Sequence, residues 1–156
     1  VFSWDAPPRI RCPRCASPPT PGGQSARAIR AQLVRAARLL PAQLRLVGGD
    51  LLAHPEAASL VYDALRLFRR GEITAEVGLL TTWSDLEVRR LNALARIDFP
   101  LFGADAASHD SHCGIIGSFN ATLDAVARLR EETRTQVGLF GVVHDASAVG
   151  AFAAAW

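Results

Sequence analysis

The feature that most constrains this chain is an alternation between two hydrophobic periods. Short apolar or β-branched runs are each followed by a stretch with helical spacing, five times over 156 residues. Strand candidates lie at residues 1–4, 44–47, 73–80, 99–102 and 137–143. Helix candidates follow at residues 25–40, from Pro55 to a stop at Gly71, from Ser84, from Ser118, and at 146–156. Strand–helix repetition of this kind predicts right-handed βαβ units and a parallel sheet in an α/β fold. Periodicity alone leaves open whether the sheet is flat or curled into a barrel. The length suits one domain over residues 1–156.

The helical faces predict a core. Ile29, Leu33, Ala37 and Leu40 fall on one side of the first helix, with Arg27, Arg30 and Arg38 on a solvated side and Pro41 as the stop. Leu60, Ala64, Leu67 and Phe68 line the second helix; Leu123, Val126 and Ala127 line the one after Ser118. Buried positions are expected at Ile29, Leu33, Leu60, Leu79, Leu91, Leu123, Val126, Leu139 and Val142.

Composition narrows the function classes. Apolar residues make up 49 % and charged residues 21 %, an ordinary globular balance. No apolar run reaches the ~18 residues of a membrane span. No basic segment followed by an apolar one opens the chain. All 17 cations are Arg, yet the net charge is only +2, so no nucleic-acid footprint is expected. Three Cys are too few for a disulfide framework, which points to a reducing cytoplasm. The chain holds no Met, so a piece processed or excised from something longer is expected.

In parallel βα architectures the segments after the strands carry function. Here those segments hold all three Cys and three of the four His. Cys12 and Cys15 sit in a loop over residues 5–23 that holds six of the nine Pro. Gly48, Gly49 and Asp50 follow the second strand, and Thr81, Thr82 and Trp83 the third. Asp105, His109, Asp110, His112 and Cys113 follow the fourth, and His144 and Asp145 the fifth. Two thiols at C-x-x-C spacing suit half of a metal or cluster site, a redox pair, or two idle thiols. Gly48-Gly49-Asp50 reads as a tight turn, or as a close backbone approach to a ligand with a carboxylate for an ammonium group. His109, His112 and Cys113 put three potential ligands in five residues, which suits a metal as well as plain hydrogen-bonding groups.

These residues resemble a family. The Cys12-x-x-Cys15 loop, Leu46-Val47-Gly48-Gly49-Asp50-Leu51-Leu52-x-His54-Pro55, a strand ending near Thr81, and His109-Asp110-x-x-x-Gly114-x-x-Gly117-Ser118-Phe119 look like the radical S-adenosylmethionine (SAM) superfamily. The likeness is greatest to its peptide-modifying, SPASM-like branch, whose members often carry an extra C-terminal cluster domain. It implies a partial (βα) barrel, here with about five parallel strands and truncated before the sixth βα unit. It also implies a [4Fe–4S] cluster on three Cys of one loop, SAM on the fourth iron, and a Gly-Gly-Glu motif for the SAM amino group. Cys12 and Cys15 match the second and third cluster Cys, and Pro8 stands at the first. Gly48 and Gly49 match the Gly pair, Asp50 stands where Glu is usual, and Thr81-Thr82-Trp83 replaces Thr-Asn-Gly. Asp105 is expected on the same cofactor face.

The resemblance with a broken motif implies a degenerate domain without catalytic activity, with SAM and a labile [4Fe–4S] cluster as the cofactors the family implies or with neither bound, serving as structural or peptide-binding partner of a larger enzyme or complex. An active peptide- or protein-modifying enzyme is the alternative, with Cys113 or His109 as third cluster ligand beside Cys12 and Cys15. A zinc site built from Cys12, Cys15 and two of His109, His112 and Cys113 is a further reading, and a βα domain without metal is the last. A peptide or protein partner is expected in the leading readings, partly because an uncovered last strand would be a liability.

Overall fold

A computed structural model of the chain describes residues 2–3, 23–48, 54–69, 71–78, 84–141 and 150. In chain order the elements are β1 (Phe2–Ser3), α1 (Ala26–Ala37), β2 (Gln43–Val47), α2 (Ala57–Leu67), β3 (Glu72–Glu76), α3 (Asp85–Leu91), β4 (Arg96–Pro100), α4 (Ala106–Cys113), α5 (Ser118–Glu132) and β5 (Gln136–Phe140). The five strands form one sheet in the order β1-β2-β3-β4-β5, and every neighbouring pair is parallel. A strand order that never reverses, joined by right-handed crossovers, puts every connecting helix on the same side. This is the winding of a barrel wall rather than of a doubly wound sheet, whose order reverses at a switch point. The α/β partial barrel expected from the sequence is therefore the fold. Among the described residues no helix is long and apolar enough to cross a membrane.

One core lies between the helices and one face of the sheet. Leu44 and Leu46 of β2, Ile73 and Ala75 of β3, and Ile97 and Phe99 of β4 point into it. Ile29 and Leu33 of α1, Leu60, Val61 and Ala64 of α2, Val88 and Leu91 of α3, and Ala125 and Leu129 of α5 meet them. Of the expected core, Ile29, Leu33, Leu60 and Leu91 are fully buried, and Val126 and Leu139 pack partly buried against it. Leu123 is only half-buried, because α5 turns Thr122, Ala125 and Leu129 inward instead. Leu79 and Val142 lie outside the described residues.

Several boundaries move, each for a local reason. Helix α1 starts where Ser25 accepts the Ala28 N–H at 3.3 Å, and it ends at Ala37, before Pro41. Leu40 leaves the helix with φ +47° and is 88 % exposed, so it is not part of the apolar face. Pro55 precedes α2 instead of opening it, since His54 Nδ1 accepts the Glu56 N–H at 3.0 Å and holds a turn there. Val61 joins the α2 core face, while Leu67 is 41 % exposed. Arg30 is no idle solvated cation: it bridges α1 to α2 through Asp63 at 2.8 Å and Glu56 at 2.9 Å. Those two carboxylates hold the Arg30 guanidinium above its ordinary pKa, the Asp63 bond contributing most. The fourth and fifth strands begin earlier than their hydrophobic runs suggest, at Arg96 and Gln136. The helix expected at 146–156 lies, apart from helical Gly150, outside the described residues.

The largest correction is α4. Residues 103–117 read as a loop because Ala106–Cys113 has no apolar stripe, yet eight of them are helical. End signals decide it. Asp105 Oδ1 accepts the Ser108 N–H at 2.8 Å while Ser108 returns its hydroxyl oxygen to the Asp105 N–H, a reciprocal cap. Gly114 at φ +69° closes the other end, a left-handed position that favours glycine.

Candidate functional site

All five strands point the same way, so their C-terminal ends lie at one end of the sheet. Gly48, directly after β2, has φ +97°, which a side chain would strain. Asp105, after β4, is exposed and caps α4. The Ser108 N–H and hydroxyl hold its carboxyl below the usual carboxylate range. Cys12, Cys15, Gly49, Asp50, Thr81, Thr82, Trp83, His144 and Asp145 lie outside the described residues.

His109, His112 and Cys113 fall on α4 rather than on a loop, and all three are buried. His109 Nδ1 accepts the Phe102 N–H at 3.1 Å, and its Nε2 faces Cys113 Sγ at 3.6 Å. With Nδ1 an acceptor, the proton of the neutral ring sits on Nε2 and is donated to the sulfur. Burial holds the His109 pKa below the ordinary histidine value, against the pull of Asp110 and together with the nearby His112. Phe102 also stacks on His112, ring centroids 4.5 Å apart. His109 and Phe119 of α5 meet edge to face at 5.8 Å. Asp110, next to His109, turns to the start of α5, where its carboxylate accepts from the Gly117 N–H at 2.5 Å, the Phe119 N–H at 2.8 Å and the Ser118 hydroxyl at 2.9 Å. It thus supplies the side-chain cap that Gly117 cannot.

These bonds bear on the fit of a metal or cluster. A metal on Nε2 would move the ring proton to Nδ1, where it would meet the Phe102 N–H, donor against donor. A metal on Nδ1 would displace that N–H outright. Neither nitrogen of His109 fits a ligand role in this arrangement, and Cys113 is fully buried beneath it. Among the described residues no three His, Cys, Asp or Glu side chains gather as metal ligands.

The sheet face opposite the core carries a feature that motif reading missed. On that face Arg45, Glu76, Arg96 and Asp98 sit on adjacent strands, with Glu76 in register with Asp98 and Asp98 with Gly138. Arg45 Nη2 reaches Glu76 at 2.9 Å and Asp98 at 3.3 Å, and Arg96 Nε reaches Asp98 at 2.6 Å. Asp98 is 5 % exposed and spends both oxygens on guanidinium groups, which is how a buried carboxylate is tolerated. Gly138 makes the room: a Cβ there would overlap Asp98 Oδ1 and the Arg96 guanidinium. The sequence signal was present as strict alternation, Leu44-Arg45-Leu46 and Ile97-Asp98-Phe99. Two charges of each sign thus line what is the inside of a barrel wall.

No protein-family model matches the chain. No curated protein matches it. Solved structures do. Native anSMEcpe with bound AdoMet and Cp18Cys peptide superposes with a TM-score of 0.66 at 12 % identity, covering 88 % of this chain and 41 % of that one. SuiB of Streptococcus suis gives 0.60 at 9 % identity, covering 94 % of this chain and 40 % of that one. BtrN in complex with AdoMet and 2-DOIA gives 0.58 at 14 % identity, covering 90 % of this chain and 57 % of that one. The chain spans less than two thirds of the length of each of them. Two of the three hold AdoMet, and the partial βα barrel built here is a fold that all three share.

Proposed function

We propose that this chain is a degenerate radical SAM-like domain, without reductive SAM cleavage, that serves as a structural or peptide-binding partner of a larger enzyme or complex. The observation that carries this reading is Pro8, which stands at the first cluster position and has no ligand atom. Two thiolates, Cys12 and Cys15, leave one iron of a [4Fe–4S] cluster without a protein ligand. The two candidates for a substitute, His109 and Cys113, are buried and bonded to one another, which supports the reading. Asp50 is one methylene shorter than the usual Glu, which weakens reach toward a SAM amino group. A peptide is the favoured partner because one structural neighbour holds a peptide beside AdoMet. The charged inner face, with Arg45 and Arg96 half exposed, offers such a partner polar contacts.

The test measures iron and sulfide after anaerobic reconstitution, and 5′-deoxyadenosine formation under dithionite. The unmodified chain is expected to hold substoichiometric iron and to form no 5′-deoxyadenosine. Pro8→Cys is expected to raise bound iron, since thiolate count limits cluster retention. A stoichiometric cluster with steady 5′-deoxyadenosine from the unmodified chain overturns the proposal.

A further inference from the structure

We propose that His109 is a positioning residue, a latch that fixes the segment between β4 and α4, and that Cys113 is its back-stop rather than a ligand of any metal or cluster. The segment 101–105 carries Phe102 and ends at the Asp105 cap, on the end of the sheet where the candidate site lies. Three contacts converge on its middle. His109 Nδ1 takes the Phe102 N–H at 3.1 Å, and the rings of His109 and His112 both stack with Phe102, at 5.9 and 4.5 Å. Gly103, the next residue, fits only because it has no side chain: a Cβ there would overlap Ser108 Oγ and the His109 N–H group. The segment is therefore pressed against the first turn of α4.

The imidazole itself is held from behind. Cys113, one helical turn on, receives the Nε2 proton at 3.6 Å, which keeps Nδ1 bare and aimed at Phe102. Phe119 closes the edge of the ring, and Asp110 fixes Phe119 by taking its N–H. Asp110, Phe119, His109 and Phe102 thus form one continuous chain of contacts from the start of α5 to the end of β4. This placement explains why His109 and Cys113 are spaced i, i+4 on a helix with no apolar stripe. The inference rests on the proposed function in one respect: both require the pair to stay out of a cluster.

The experiment uses the full chain and three variants of one position. Asn places an oxygen where Nδ1 stands, Gln places its amide where Nε2 stands, and Ala offers neither. Amide exchange should show Phe102 protection falling about tenfold in His109→Ala and His109→Gln relative to the α5 amides, the scale of one lost hydrogen bond. His109→Asn should restore it. Nitrogen-15 spectra of the unsubstituted ring should show the Nε2–H tautomer. Iron content after reconstitution should be the same in His109→Asn, Cys113→Ala and the unsubstituted chain. An Nδ1–H tautomer, or equal protection of Phe102 by Gln and Asn, overturns the latch and leaves the proposed function standing. Loss of iron in both His109→Asn and Cys113→Ala overturns the proposed function as well. The tautomer measurement decides the latch even if a variant fails to fold.

Discussion

Asp110 shows how much one side chain can do across a helix junction. Burial pushes its carboxyl up, but the N–H groups of Phe119 and Gly117 and the Ser118 hydroxyl more than offset this and hold it below the usual carboxylate range. Asp110→Ala leaves two N–H groups at the start of α5 without their acceptor, and Gly117 has no side chain to replace it. The expected outcome is a fall in Tm of several degrees, with a smaller fall for Asp110→Asn, which keeps one acceptor oxygen. A thermal melt followed by circular dichroism checks it; equal melts for Asp110→Ala and the unsubstituted chain would refute the capping role. The His109-Asp110…Gly117-Ser118-Phe119 spacing was legible in the sequence as a motif. What was not legible is that His109 and Asp110 face opposite partners, one the β4 end and the other the α5 start. That division exists only once residues 106–113 are helical.

Elements were legible where an apolar period drives burial and obscure where end chemistry does. Strands β2 to β5 and helices α1, α2, α3 and α5 carry such periods, and their existence follows from them. Helix α4 does not, and only its two caps reveal it. In α5 the periodicity gave the right element and a rotated face: Leu129 is fully buried, Leu123 half-buried. Leu129→Ala is therefore expected to cost ~2–5 kcal/mol, and Leu123→Ala less than half as much, by urea denaturation. Equal costs would show that the assigned face is wrong. In β5 the informative residue is a glycine. Gly138→Ala drives a methyl into the Asp98–Arg96 pair and is expected to cost ~1–3 kcal/mol, whereas Val137→Ala next to it only trims the core margin. Should Gly138→Ala be neutral, the ion network has room to shift and Asp98 is not fixed by it.

At the scale of the whole molecule, the winding of the sheet was half legible. Strand–helix alternation predicts parallel strands, but only the unreversed order β1-β2-β3-β4-β5 shows that the helices share one side and leave a charged inner face. The same fold collects three groups whose titration acts in one direction. His109 is held below the ordinary histidine value, chiefly by burial, so the folded state favours the neutral ring. Asp105 and Asp110 are held below the ordinary carboxylate value, so the folded state favours the anions. In every case the unfolded chain binds more protons than the folded one between the two pKa values, so stability rises with pH there. Stability should be constant at neutral pH and should start to fall as pH drops through about 6.5, the unfolded-state histidine value. It should fall again below about 3.9, where the unfolded carboxylates protonate. A urea midpoint measured from pH 8 to pH 3 should therefore step down twice. His109→Asn carries no titrating ring but keeps an acceptor for Phe102, so it should lack most of the upper step and keep the lower one. An upper step of full size in His109→Asn would remove His109 from the acid response of the fold.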